Sequence, residues 1–392
     1  MPAASPLRSP LNIESLLCER VRSIDASGIR RVFDLGSRMR DPINLSIGQP
    51  DFPVPEALKA AAVRAIQSDR NGYSVTQGVP ELRAAIWQRL ESTIGWVPST
   101  ELDLLVTSGT SGALLLAAMA LLGPGDEIVF PDPWFVLYPQ LARICGARGV
   151  PCDTYPDFRM TAARVAPLLT PRTKMVLSCS PSNPCGTVLS QQDCDELAAL
   201  CAQRGVLLIS DEIYDGFTFA EAQDHGGCPT PTRSSRDVLL VRGFGKNYGC
   251  TGWRLGYAAG PTALIQQMAK LQQYTFVCAP TPLQLAAVES FGVDLTETVQ
   301  RYQRRRDMVM EAFRSVTNVT APQGAFYAFV EVPPGLGVSA AEFVERAIAK
   351  RVLIIPGGVF SSRDTHFRLS FATPEAKLVE GLEILVGLMK PA

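Results

Sequence analysis

No stretch of this 392-residue sequence approaches the roughly 20 continuous apolar residues of a membrane-spanning helix. The longest run, LLLAAMALL at 114–122, is too short, so no span is expected. Charge of one sign is not in excess either: 37 Lys and Arg face 38 Asp and Glu, and no basic run exceeds the triplet Arg304-Arg305-Arg306. Nucleic acid and anionic membranes are therefore not expected partners. The opening segment MPAASPLRSPLNIES has prolines at 2, 6 and 10 and lacks the apolar core of a secretory signal. The ten cysteines include no CxxC pair; they read as reduced, mostly buried thiols, and the chain as cytoplasmic. Cys179 and Cys185 are read as packing residues, with redox or metal roles as the lesser alternative. Internal repeats and low-complexity linkers are missing. So is a GxGxxG after a strand with an acidic residue about 20 positions on, which removes a nicotinamide-dependent oxidoreductase from consideration.

What is present begins with length and apolar content. A chain of 392 residues, 46% hydrophobic and 19% charged, is a globular protein long enough for two units. From about residue 105, short apolar runs alternate with amphipathic stretches. Strands are expected near 104–106, 127–130, 174–179, 206–210, 238–241 and 254–258. A helix is expected over 190–203, with Ser190 as its N-cap and Gly205 as its stop. Strands alternating with helices imply an α/β fold with a largely parallel sheet covered on both faces, whose ligand-binding residues collect beyond the strand C-termini. After residue 290 the texture changes: a long charged helix near 295–315, a strand near 325–332, a helix, the turn IIPGG, a strand near 366–371 and a last helix. We therefore expect a large domain over 51–291 and a smaller α+β domain from 292–392 with the segment 1–50.

Three segments carry candidate chemistry. RGFGKNYGCTGWRLGY, 242–257, puts Lys246 in a glycine-rich loop directly after a buried strand, with Gly243 and Gly245 allowing a tight turn. Taken alone, such a lysine is either a desolvated nucleophile or an ordinary solvated one. VLLISDEIYDG, 206–216, ends an apolar strand in Asp211, with Tyr214 three residues on. An acid at that place is a structural cap or a functional anion. SCSPSNPCGT, 178–187, sets Asn183 in a turn after another strand, where Asn-Pro also serves simply to start a turn.

In this order the strings SPSNPCGT, DEIYDGF and GFGKNYGCTGWRLGY resemble the signatures of the aminotransferase class I/II family, the fold-type I enzymes that use pyridoxal 5'-phosphate. LSIGQPDFPVP at 45–55, YSVTQGVPELR at 73–83, TSGTSGALL at 107–115, IPGGVF at 355–360 and HFRLSFA at 366–372 extend the resemblance from about residue 40 to the end.

The resemblance implies roles that make physical sense. Lys246 would hold the cofactor as a Schiff base and act as general base. Asp211 would keep the ring nitrogen protonated through a charge-assisted pair, and Tyr214 and Asn183 would reach the ring's phenolate oxygen. Gly109, Thr110 and Ser111, opening a helix, would hold the phosphate together with Arg254, eight residues after the lysine. Tyr73 resembles a tyrosine that enters from a neighbouring subunit to touch that phosphate, which implies a homodimer with shared active sites. Phe135 is favoured over Trp134 as the ring stacked on the cofactor. Arg368, inside the apolar strand FRLSF, would grip the substrate α-carboxylate, aided by Asn183 and the Gly48 N–H; otherwise it pairs with an internal carboxylate. No metal is implied. The sequence departs from the family where a hydroxyl often stands just before the lysine or three before it; here those places are Gly245 and Gly243, so phosphate binding should lean on Thr110, Ser111, Tyr73 and Arg254. Cys185 stands where the family commonly has threonine.

The implied activity is transamination: an amino acid gives its amino group to the cofactor and a 2-oxo acid then collects it, in two half-reactions with ping-pong kinetics. Three alternatives are weighed. A C–S lyase or a cyclopropane-carboxylate-synthase-like enzyme could be built from the same residues. A non-catalytic cofactor-binding regulator would need a DNA-binding unit ahead of this fold, and the first 40 residues are too few and too neutral. For the substrate side chain no second arginine can be assigned. Ser111 occupies a place where some aspartate-specific relatives carry lysine. Tyr327 and Phe360 either favour apolar and aromatic side chains or are ordinary core.

Overall fold

The computed structural model describes residues 11–390 apart from 25, 27 and 38; the prolines at 2, 6 and 10 of the opening segment lie outside the described residues. In chain order the strands are β1 (Ile43–Asn44), β2 (Leu102–Ser108), β3 (Glu127–Asp132), β4 (Arg148–Asp153), β5 (Thr173–Cys179) and β6 (Leu207–Asp211). They continue as β7 (Val238–Gly243), β8 (Leu255–Pro261), β9 (Tyr327–Glu331), β10 (Val352–Leu353), β11 (Ile355–Pro356) and β12 (His366–Ser370). Seven of them form the central sheet in the order β2-β8-β7-β6-β5-β3-β4. All its pairings are parallel except those of β8, which runs antiparallel to β2 and β7.

The interior strands are continuous apolar runs because helices cover both faces, and β7 is buried along its whole length. One covering helix, Gly109–Leu121, is apolar nearly all round and packs deep in the core with Ile265 and Met268 of the helix Thr262–Gln273. The helix expected after Ser190 runs Gln191–Gln203. Ser190 caps it in a box with Asp193, and Gly205 follows at φ 64°. Strand β4 was not expected. Its sequence RGVPCD has Pro151 at its centre, which normally argues against a strand, but β4 lies at the sheet edge with β3 as its one partner in the sheet, where a missing N–H costs little.

A second core gathers around β9, β11 and β12, an antiparallel sheet in the order β11-β12-β9, with Tyr302, Phe313, Phe343 and Leu385 from the surrounding helices. The long charged helix runs Thr296–Phe313 and the last helix Glu375–Met389. The segment from residue 43 joins this unit: β1 pairs with β10, and Ser370 N–H donates to Leu45 C=O at 2.7 Å. The chain then continues through Ser46–Gln49 to the edge of the central sheet.

Candidate active site

The register of the central sheet sets the site. Cys179, Asp211 and Val241 lie level at the C-terminal ends of β5, β6 and β7. Because β8 is antiparallel, its first residues, level with Gly243 and Ser108, lie on the same edge. Asp211, Lys246, Arg254 and Gly109 therefore leave the sheet at one rim, and a cavity of about 380 Å³ opens there. Residues singled out in the sequence line it: Gly48, Gly109, Thr110, Ser111, Phe135, Asn183, Asp211, Tyr214, Lys246, Arg254 and Arg368, together with Cys179, Gly245 and Tyr327. Tyr73 does not; it is 87% exposed on the outer surface.

Lys246 stands not in a loop but in one helical turn, Phe244–Asn247. The flanking glycines serve space rather than turning. A Cβ on Gly243 would come within 2.6 Å of Ile213, and one on Gly245 within 3.1 Å of the Thr251 backbone. The Lys246 ammonium donates to Gly48 C=O and lies 5.9 Å from the centre of the Tyr214 ring. Burial, with Arg368 and Arg254 nearby, lowers its pKa to about 8.

Asp211, 2% exposed, accepts from the Tyr138 hydroxyl at 2.8 Å and from Ile213 N–H at 3.3 Å. Among the described residues no cation pairs with it. Burial raises its pKa to about 6, against the lowering effect of those two donors. Its neighbour Glu212 points the other way, as strand alternation requires, and is paired with Arg242 at 2.8 Å and hydrogen-bonded by Ser210 and Thr230.

Arg368, 1% exposed, has no carboxylate partner among the described residues. Its guanidinium donates to Asn183 Oδ1 at 3.1 Å and to Ser46 C=O at 2.8 Å, its Nε has no partner, and the Tyr327 and Phe360 rings lie 4.6 and 4.7 Å from it. Pairing with an internal carboxylate is therefore not what this arginine does. Burial lowers its pKa. The Tyr214 and Tyr327 hydroxyls share a hydrogen bond at 3.0 Å. A Cβ on Gly48 would lie 2.9 Å from the Tyr327 hydroxyl, so glycine lets this segment pass close.

At the other end, Gly109 begins its helix at φ 68°, and a Cβ there would come within 2.8 Å of the Arg254 guanidinium. Arg254 also has left-handed backbone, donates to Thr251 C=O, and has no carboxylate partner among the described residues. First-turn amides and a free guanidinium form an anion site. Phe135 lines the cavity, whereas Trp134 packs edge-on against Phe130. Sequence reasoning did not single out Tyr138, Thr251, Ile29 and Ile47, all of which line the cavity. The Tyr138 hydroxyl meets its partner Asp211 only across 73 residues of chain, and isoleucines carry no chemical signal.

Taken together, the sheet order and this rim define a fold-type I α/β transferase. Residues 40–385 match the aminotransferase class I and II family, and the chain belongs to that family. It is similar to a protein described as putative aminotransferase YugH of Bacillus subtilis (strain 168), 35% identical over 94% of this chain and 97% of the relative. It is also similar to an aspartate aminotransferase of Pyrococcus abyssi, 31% identical over 95% and 98%. Among solved structures it resembles the Thermus thermophilus aspartate aminotransferase with maleate, at TM-score 0.87 and 32% identity over 95% and 99% of the two chains. The chain is a pyridoxal-phosphate-dependent aminotransferase.

Proposed function

We propose that this cavity holds pyridoxal 5'-phosphate on Lys246 and moves the amino group of an L-α-amino acid to a 2-oxo acid by a ping-pong route, in a cytoplasmic homodimer. The observation that carries the reading is a pair of missing partners: Asp211 without a cation and Arg368 without an anion, buried in one cavity among the described residues. Uncompensated buried charges are expensive, and a ligand set with a cationic ring and a carboxylate compensates both. The residues present fit the cofactor: a carboxylate for the ring nitrogen, an aromatic ring at Phe135, an amine at Lys246, and the amides of Gly109, Thr110 and Ser111 with Arg254 for a phosphate dianion.

When bound, the cofactor supplies an electron sink for the substrate's α-carbon. Asp211 holds the proton at the ring nitrogen, and the Tyr138 hydroxyl fixes the carboxylate's orientation. Tyr214 and Asn183 donate toward the ring oxygen. Arg368, steadied between two aromatic rings, takes the α-carboxylate in a two-bond fork with help from Asn183 and the Gly48 N–H. With the cofactor bound, Lys246 Nζ, whose pKa burial lowers to about 8 in the protein alone, would take the proton from the substrate's α-carbon and would be the group placed to return it.

The exposed phenol of Tyr73 supports a shared site, and the more than half-exposed Leu11, Ile13, Leu16 and Val21 support a covering partner copy. Ten free thiols support the cytoplasm. The separate sheets, one of seven strands within 102–261 and one of three within 327–370, support the division into 51–291 and 1–50 with 292–392.

Mixing the cofactor-loaded protein with an L-amino acid and no acceptor tests the reaction. One equivalent of the matching 2-oxo acid per site should be released, and a second 2-oxo acid should restore the starting absorbance. Continuous release of ammonia without an acceptor would instead establish a lyase.

A further inference from the structure

The cavity carries few charged groups. Its lining has three cations, Lys246, Arg254 and Arg368, and one anion, Asp211. With Arg254 at the helix N-terminus, Lys246 at the reacting carbon and Arg368 on the α-carboxylate, no described cation in the lining is left for a substrate side chain. The segment Ser46–Gly48 shows where that side chain would run. Ser46 C=O accepts from Arg368, and Gly48 C=O accepts from Lys246. Ile47 stands between these two contacts and lines the cavity. A substrate whose carboxylate met Arg368 and whose α-carbon met Lys246 would lie along this segment, with Ile47 in the same cavity wall. Ile29, half-buried on the helix Gly28–Ser37, lines the same space. Gly28 and Gly36 bring that helix against Val359 and Leu353, since a Cβ on either would come within 2.5 Å of them.

We propose that the amino donor of this enzyme has an uncharged, apolar side chain received by Ile29 and Ile47, rather than the second carboxylate of aspartate. The inference rests on the reading of Arg368 and Lys246 given above. A carboxylate moved from water to a wall of two isoleucines loses its hydration without a partner, whereas each methylene of an apolar chain gains.

The test uses the unmodified holoenzyme. Single-turnover half-reactions are followed by the absorbance of the bound cofactor with leucine, methionine, phenylalanine, alanine, aspartate and glutamate, each without an acceptor. The best of the three large apolar donors should exceed aspartate and glutamate by about 10-fold or more in the second-order rate constant. Ile47→Ala should lower that constant for leucine by about 10-fold and leave alanine nearly unchanged. Preference for aspartate or glutamate would overturn the proposal and point to a cation from a partner subunit. Equal rates for all donors, or equal losses for leucine and alanine in Ile47→Ala, would also overturn it. Failure of every amino acid would instead overturn the underlying reading of the cavity.

Discussion

Asp211 and Glu212 are adjacent acids with opposite fates, and the difference follows from strand alternation. Glu212 meets Arg242 inside the protein; Asp211 faces the cavity with only a phenol and one N–H. In the sequence both readings of a buried acid, structural cap and functional anion, stood open at Asp211, because the partner of Glu212 is 30 residues away and only the fold brings it in. Burial raises the folded-state pKa of Asp211 from 3.8 to about 6, so the native cofactor-free protein binds a proton more strongly than the unfolded chain. The cost of Asp211 is thus absent below about pH 4, grows as pH rises and is complete above about pH 6. Urea denaturation of the cofactor-free protein should show the wild type losing roughly 3 kcal/mol relative to Asp211→Asn across that window. A difference that stays flat with pH would contradict the assignment. With cofactor present the order of merit reverses, and Asp211→Asn should be nearly inactive. At Arg368, exchange for lysine replaces a fork by a point charge; kcat/KM for α-amino acids should fall about 10- to 100-fold while a simple amine lacking the carboxylate reacts as before. Parallel losses for both would assign Arg368 a structural role.

At the level of elements, the legible parts were those whose signals are local. Ser190 before it and Gly205 beyond announce the helix Gln191–Gln203 through caps alone, and the structure adds Asp193 as the other half of the box. Strand β4 was hidden because tolerance of Pro151 depends on an edge position that only the complete sheet reveals. The turn that bears Lys246 was misjudged for a related reason. Gly243 and Gly245 signal flexibility in sequence, but their use is to admit Ile213, Thr110 and Thr251, which arrive from elsewhere in the chain. Gly109 combines both needs, a left-handed backbone and room for Arg254. Gly109→Ala should therefore destabilise the cofactor-free protein by about 1–2 kcal/mol and, by displacing the guanidinium from the helix N-terminus, make the cofactor dissociate more readily. Equilibrium dialysis against pyridoxal 5'-phosphate reads the second effect; unchanged affinity would remove Arg254 and Gly109 from the anion site.

On the scale of the molecule, the site is assembled from distant parts: a sheet rim at 109–254, a crossing segment at 46–48 and a strand at 366–370. The ordered strings in the sequence named these parts, but not the two isoleucines between them, whose meaning comes only from position. Tyr73 remains outside the cavity of its own chain, and its reading as a partner's contact can be tested by mixing. Lys246→Ala and Tyr73→Ala, each nearly inactive alone, should regain activity once subunits exchange, because part of the mixed dimers carry one site with both residues intact. Confirmed exchange without recovery would return Tyr73 to an ordinary surface role. The central claim, that this cavity is the cofactor's and Lys246 its anchor, is tested most directly by borohydride reduction of the holoenzyme followed by peptide mapping. The account requires one modified lysine per chain, within the peptide that contains GFGKNYGC, and loss of activity in step with its modification. A stable adduct on any other lysine, such as Lys174, would contradict it.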